Sequence, residues 1–394
     1  MKKSSLLILF LLFCIFVFSQ TEWSSSNNGL SDKFNTYDFI VGNSNEVYAV
    51  GALFNEATPT PKIFKSVNNG TDWTEISVSG MDSHNYLYSA SCKSGDKMFI
   101  NASNNSGTYA IYSSINSSTW TLSNNGIPEK FNTFDFIVVS NSEIYAIGSQ
   151  FDGTTFSPKI FKSVNNGIDW TEISVSGMDS HNYLYSASCK SGDKMFINAS
   201  NNSGTYAIYS STNSSTWILS NNGIPEKFNT YDFIIASNSE IYAVGALFDG
   251  TDISPKIYKS ENNGTEWSEI SVSGIDSHDY LYSASCLVGN KMLLKASSNS
   301  AEYSIYSSTI SITDIDDSFS IIKPVIYPNP TSCSFLIDSN RKFDEVHIRS
   351  LSGVVVAIYK AQSNYNISNL ESSIYFIELL QTGKIVYSEK ILKN

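Results

Sequence analysis

Three short loops carry the side chains best suited to chemistry in this 394-residue chain: Gly80-Met81-Asp82-Ser83-His84, its copy with Asp179 and His181, and the variant Ile275-Asp276-Ser277-His278. Histidine titrates near neutral pH and is the commonest nitrogen ligand for metals. Three of them related by an internal repeat would point towards one pseudo-threefold axis, and a zinc-like ion there would need each ring nitrogen within about 2 Å. Three readings are open: a metal held by the histidines, a shared polar or glycan-binding rim that includes Asp82, Asp179 and Asp276, and plain exposed loop residues. Lys33, Lys130 and Lys227, followed by Phe34, Phe131 and Phe228, occupy the equivalent loops of the intervening units and would alternate with the histidines around the same rim. Such a rim requires no metal and no cofactor, and none is assigned.

A second set of candidates is Asp38, Asp135 and Asp232, each inside a β-rich run. Glycoside hydrolysis needs two carboxylates in different environments, one with a raised pKa. These aspartates sit in near-identical settings, and Asp72–Ser114 recurs letter for letter as Asp169–Ser211. Copying equalises environments, which argues against separate acid and base. The alternative role is to accept hydrogen bonds from tyrosines or backbone amides between packed sheets. Cys92, Cys189 and Cys286 are likewise one position in three copies, too far apart for the short Cα separation of a disulfide. They are expected as free, buried thiols.

The elements that must position these groups follow from the repeat. KIFKSVNNGTDW at Lys62–Trp73 returns at Lys159–Trp170 and, as KIYKSENNGTEW, at Lys256–Trp267, a step of 97 residues. A shorter echo at Tyr109–Trp120 and Tyr206–Trp217 halves the period. All six tryptophans, Trp23, Trp73, Trp120, Trp170, Trp217 and Trp267, fall on this grid and are read as structural turn residues. Periods of this length mean solenoids, propellers or arrays. Each unit divides into four β-rich runs, as in Phe34–Val41, Glu46–Phe54, Pro61–Val67 and Thr74–Ser79, separated by Asn, Gly and Ser. Four short strands are the content of one propeller blade. Runs apolar at adjacent positions, such as Tyr86-Leu87-Tyr88, suit sheets covered on both faces. The sixth unit ends after its third run at Ser307-Ser308, whereas Trp23 heads a fourth run with no first three before it. Thr21–Asn28 is therefore expected to complete the sixth unit, with Trp23 against Tyr303–Ser308, leaving no open sheet edge. The fold expected is all-β: a six-bladed β-propeller over residues 20–310, closed by an N-terminal strand, then a polar linker (311–325) and a small C-terminal β-sandwich (326–394) of short alternating strands.

The chain ends speak of address. Lys2 and Lys3 precede the apolar run Leu6–Phe18, and Val17-Phe18-Ser19 sets a small residue before Gln20, so residues 1–19 read as a signal peptide. No later segment is long and apolar enough to span a bilayer. With 41% apolar and 16% charged residues the chain can build a large core, and its formal net charge of −12 repels phosphate backbones, so nucleic acid is excluded as a partner.

Two resemblances sharpen this. Ser66–Trp73 is similar to the Asp-box, or bacterial neuraminidase repeat, with Asn68, Asn165 and Asn262 in place of its aspartate; in that family the motif is a structural turn between the third and fourth strands. The tail resembles the type A sorting domain of the type IX secretion system of Bacteroidetes, with Pro328, Asn329 and Pro330 in its opening, Gly353 in its middle turn, and Lys390 and Lys393 at its close. That resemblance implies export through the outer membrane, the secretion machinery as partner of the tail, and a secreted or cell-surface location. Exported Asp-box propellers include sialidases, whose sites grip a carboxylate with clustered arginines. Here the arginines are Arg341 and Arg349, both beyond the repeats, so sialidase activity is not expected. The resulting expectation is a binding or adhesion propeller for an extracellular glycan or protein; the alternative is a polysaccharide-active glycoside hydrolase using aspartates at the channel mouth.

Overall fold

The structure, a computed structural model, describes residues 21–394 except 43–44, 55–58, 82, 85, 105, 179, 182, 202, 238, 249, 276–279, 299–301, 310–324, 339–342, 352–353, 363 and 382–383. One compact unit ends by Thr313 and a second begins at Asp314. Every regular element in the described residues is a strand.

The first unit holds six four-stranded sheets. Sheet 1 runs Phe34–Val41, Val47–Leu53, Thr60–Ser66 and Thr74–Ile76, and sheet 2 runs Tyr86–Ser94, Lys97–Ser103, Tyr109–Ser114 and Thr121–Leu122. Sheets 3, 4 and 5 span Phe131–Ile173, Tyr183–Leu219 and Phe228–Ile270 in the same order. Sheet 6 takes three strands from Tyr280–Thr309 and its outermost from Ser24–Ser25, with Ser24 opposite Ser307 and Ser25 opposite Tyr306. Trp23 is buried in one cluster with Tyr306 and Leu294, which is where the unpaired fourth run was expected to lie.

Each sheet packs on the next through a separate apolar cluster. Phe131, Phe136 and Trp170 of sheet 3 meet Phe99 and Ile111 of sheet 2, and Phe34, Phe39 and Trp73 of sheet 1 meet Leu293 and Ile305 of sheet 6. Burial on both faces explains why second strands such as Val47–Leu53 are buried at six consecutive positions.

The outer rim is stitched by one device used at every step. Each tryptophan amide donates to a carbonyl in the tail of the preceding sheet: Trp73 to Asn28, Trp120 to Ser79, Trp170 to Asn125, Trp217 to Ser176, Trp267 to Asn222 and Trp23 to Ser273, at 2.8–3.0 Å. Just after each acceptor stands a glycine with φ between +84° and +93° (Gly29, Gly80, Gly126, Gly177, Gly223, Gly274), whose absent Cβ would lie 2.1 Å from the tryptophan carbonyl oxygen. Only glycine fits both the dihedral and the space.

The Asp-box-like turns join third to fourth strands. Ser66 Oγ accepts from the Gly70 amide at 2.9 Å, Asn68 Oδ1 accepts from the Asp72 amide at 2.9 Å, and Asn69 and Gly70 take positive φ. The long turns send the tryptophan Nε1 to the preceding sheet (Trp73 to the Ser26 carbonyl, 2.9 Å), whereas the short ones keep it at home (Trp120 to Ser117, 3.1 Å).

In the second unit a three-stranded sheet (Val325–Tyr327, Ser334–Asp338, Tyr365–Asn366) and a four-stranded one (Glu345–Ser350, Val355–Lys360, Ser373–Gln381, Lys384–Lys393) share a core of Phe335, Ile348, Tyr365 and Ile377. Its opening motif is tied to its last strand: Asn329 donates to the Lys390 carbonyl at 2.9 Å and accepts from the Leu392 amide at 3.0 Å. Lys390 is exposed and Lys393 buried, and Gly353 lies outside the described residues.

Candidate functional site on the loop face

All neighbours within the propeller sheets are antiparallel, so the loops entering each sheet and those joining its second and third strands open on one face. Of the candidate loop residues, His84, His181, Lys33, Lys130 and Lys227 belong to that face. Asp82, Asp179, Asp276 and His278 lie outside the described residues.

His84 and His181 are anchored to the third strand of their own sheets, the inner one being the first. His84 Nδ1 lies 2.8 Å from the Tyr112 hydroxyl and 3.0 Å from Ser83 Oγ, and the rings meet edge-on with centroids 5.6 Å apart. His181 repeats this with Tyr209 and Ser180. Burial lowers both pKa values, opposed by the carboxylates of Glu129 and Glu226. His84 lines a groove of ≈ 600 Å³ with Thr60, Lys62, Glu75, Val78 and Met81. The Lys62–Glu75 ion pair lies along it, and the pairs Lys159–Glu172 and Lys256–Glu269 recur at the equivalent places.

The lysines and their phenylalanines part company. Phe34, Phe131 and Phe228 are core residues, 3%, 1% and 1% exposed, because each begins an inner strand covered on both faces. They therefore do not belong to a surface rim. Lys33, Lys130 and Lys227 are exposed, and Lys130 and Lys227 donate to the Gly107 and Gly204 carbonyls at 3.3 and 3.2 Å.

The strand aspartates are spent on the backbone. A bulge between Thr36 and Asp38 turns the carboxylate so that one oxygen accepts from the Phe39 amide at 2.7 Å and the other from the Ser91 amide of sheet 2 at 2.5 Å. Asp135 does the same with Phe136 and Ser188, and Asp232 with Phe233 and Ser285, each at 2.6–2.7 Å. These bonds close the seams 1–2, 3–4 and 5–6. Burial pushes all three carboxyls up, assisted for Asp38 by repulsion from Asp232 and for Asp135 by repulsion from both others; Asp232 reaches about 7. The free thiols of Cys92, Cys189 and Cys286 lie beside them, raised by burial and then by these carboxylates.

The alternate seams use amides. Asn101 donates to Asn132 Oδ1 across seam 2–3 and Asn198 to Asn229 Oδ1 across seam 4–5, both at 3.0 Å. At seam 6–1 the donor position is Lys295, 4% exposed, with Nζ 5.0 Å from the Tyr303 ring centroid, and burial lowers its pKa to about 7. The matching Asn35 Oδ1 has no hydrogen-bond partner.

Sequence reasoning missed one set of surface residues: Phe54, Phe151 and Phe248, at the loop-face ends of the second strands of sheets 1, 3 and 5. Their signal is an aromatic residue recurring at 97-residue spacing where a buried strand ends.

Residues 325–394 match the sequence profile of the Secretion system C-terminal sorting domain, so the second unit is a sorting domain of that family and marks the chain for export by the type IX system. No curated protein sequence matches the chain. Among solved structures it is similar to the sialidase of Trypanosoma rangeli in complex with the inhibitor DANA, at 14% identity and a TM-score of 0.54, covering 74% of this chain and 58% of that one. It is also similar to a protein of unknown function from Dyadobacter fermentans, at 11% identity and a TM-score of 0.54, covering 73% of this chain and 97% of that one. At these identities the likeness shows the fold: the first unit is a β-propeller. The chain spans 58% of the sialidase's length.

Proposed function

We propose that the propeller is an extracellular binding or adhesion module, released from a signal peptide at residues 1–19 and delivered by its sorting domain to the cell surface or the medium, with a glycan or protein as ligand and no catalysis of its own. The observation that carries this reading is the equality of its candidate groups. Asp38, Asp135 and Asp232 each accept two backbone amides in the same geometry, which leaves no pair with distinct acid and base roles. Several equal, weak contacts on one face gain through avidity, a use that threefold copying serves directly. The sialidase-like fold does not bring sialidase chemistry with it, since the repeats contain no arginine to hold a carboxylate.

The test is to pass the mature ring over polysaccharide, glycan and protein panels and read both retention and released sugar. Retention without release is expected. Released sugar would instead establish the hydrolase alternative, and retention on neither kind of panel would remove the binding reading.

A further inference from the structure

Single exposed apolar side chains need no explanation, but three copies of one arrangement do. Phe54 and Phe248 are 37% and 45% exposed, and Phe151 is partly exposed. Each is held by its own amide, which donates to the carbonyl of the loop lysine: Phe54 to Lys33, Phe151 to Lys130, Phe248 to Lys227, at 3.0–3.1 Å. The carbonyl one residue earlier, of Asp32, Glu129 or Glu226, accepts from the amide of Tyr303, Tyr109 or Tyr206 in the preceding sheet, at 2.8–3.3 Å. Two backbone bonds thus hold a phenylalanine and a tyrosine on either side of an exposed lysine and an exposed carboxylate, at seams 6–1, 2–3 and 4–5. At seam 6–1 the Phe54 and Tyr303 rings stand 6.3 Å apart, tilted by 38°. At seam 2–3 a further exposed ring, Phe156, lies 4.8 Å from Phe151.

The other three sheets carry Asn104, Asn201 and Ser298 where these phenylalanines stand, and Asn104 turns its side chain inward to the Ser106 and Thr108 amides. Stability of a sheet end therefore does not demand an aromatic. A flat ring held beside a loop that carries an exposed lysine and an exposed acidic residue matches a sugar, whose C–H face stacks on an aromatic while its hydroxyls need donors and acceptors close by. An anionic chain is disfavoured by the net charge of −12.

We propose that these three seams are subsites for a neutral polysaccharide, each stacking a sugar ring on Phe54, Phe151 or Phe248 and bonding its hydroxyls through the adjoining lysine and carboxylate. This rests on the binding-module reading and names its ligand class. Phe156 adds a second exposed ring to the seam 2–3 subsite.

The test is affinity electrophoresis of the mature ring through native gels containing a neutral β-glucan or, at equal density, a polyuronate. The wild type is expected to be retarded by the β-glucan and not by the polyuronate. The triple variant Phe54→Leu, Phe151→Leu, Phe248→Leu keeps apolar volume but loses the flat face; it should need at least ~10-fold more glucan for the same retardation while melting within a few degrees of wild type. Changing the same three residues to Trp should restore retardation. Equal retardation of the Leu variant, or retardation by polyuronate alone, would overturn the proposal while leaving a binding module in place. So would a wild type that passes freely through the glucan but is held by the protein panel.

Discussion

The outer rim and the inner wall of the propeller obey different periods. At the rim, the tryptophan amide and the positive-φ glycine recur at all six steps, including the step onto Trp23 and the step from Asn28. Along the inner wall and the loop face, the devices alternate: aspartate to backbone amide at one seam, side-chain amide pair at the next, and phenylalanine with lysine above every second seam. What recurs at every sheet is what joining sheets requires. Among the devices that recur at every second sheet, the aspartates and amide pairs also close seams, whereas the exposed phenylalanine rings are free of that demand and are candidate binding groups.

The largest expected effect comes from removing residues 21–28. Sheet 6 then loses its outer strand and the buried Trp23, whose truncation alone is worth about 3–5 kcal/mol, and thermal unfolding should become broad and non-cooperative. A sharp transition near the wild-type temperature would break the rim account. Next comes Gly80→Ala, where both φ and the Trp120 carbonyl oppose a Cβ; a loss above about 4 kcal/mol is expected by denaturant unfolding. Gly107→Ala is the control. Its φ is +66° with nothing within 4 Å of the added carbon, so only the left-handed strain of about 1–2 kcal/mol should appear.

The tryptophan grid and the four-strand unit are legible in the sequence because each must satisfy the same packing and hydrogen-bonding demand at every step. The glycines are legible only once their tryptophan partners are known to touch them, partners that lie some forty residues downstream for five of the glycines and, for Gly274, back at Trp23. Repeat symmetry makes the histidine positions equivalent but does not say which way they face; the Tyr112 and Tyr209 hydroxyls that hold His84 and His181 to the third strand are visible only in the structure. Phe34 and Phe54 show the same limit. Both flank loop-face turns, yet one begins a strand covered on both faces and the other ends beyond that cover.

Smaller effects probe the inner wall through pH. A carboxyl raised in the folded state binds its proton more tightly there than in the unfolded chain. The stability it contributes is therefore full below an unfolded pKa of about 4 and is lost as pH rises through the folded value, about 7 for Asp232. Melting temperature should fall between pH 4 and 7, and Asp232→Asn should flatten that slope; an unchanged slope would contradict the assignment. Lys295, lowered to about 7, acts in the opposite sense, its burial costing stability below that pH and the cost fading above it. Lys295→Asn gives seam 6–1 the donor that Asn101 supplies at seam 2–3, and a gain of about 1 kcal/mol is expected at pH 6 by denaturant unfolding.

The central claim, several equal contacts on the loop face and no catalytic centre, is tested most directly by stoichiometry. Calorimetric titration of the mature ring with neutral gluco-oligosaccharides of six units, followed by chromatography of the sugar recovered, should give close to three sites per ring and intact oligosaccharide. A single site per ring, or shortened products, would contradict it.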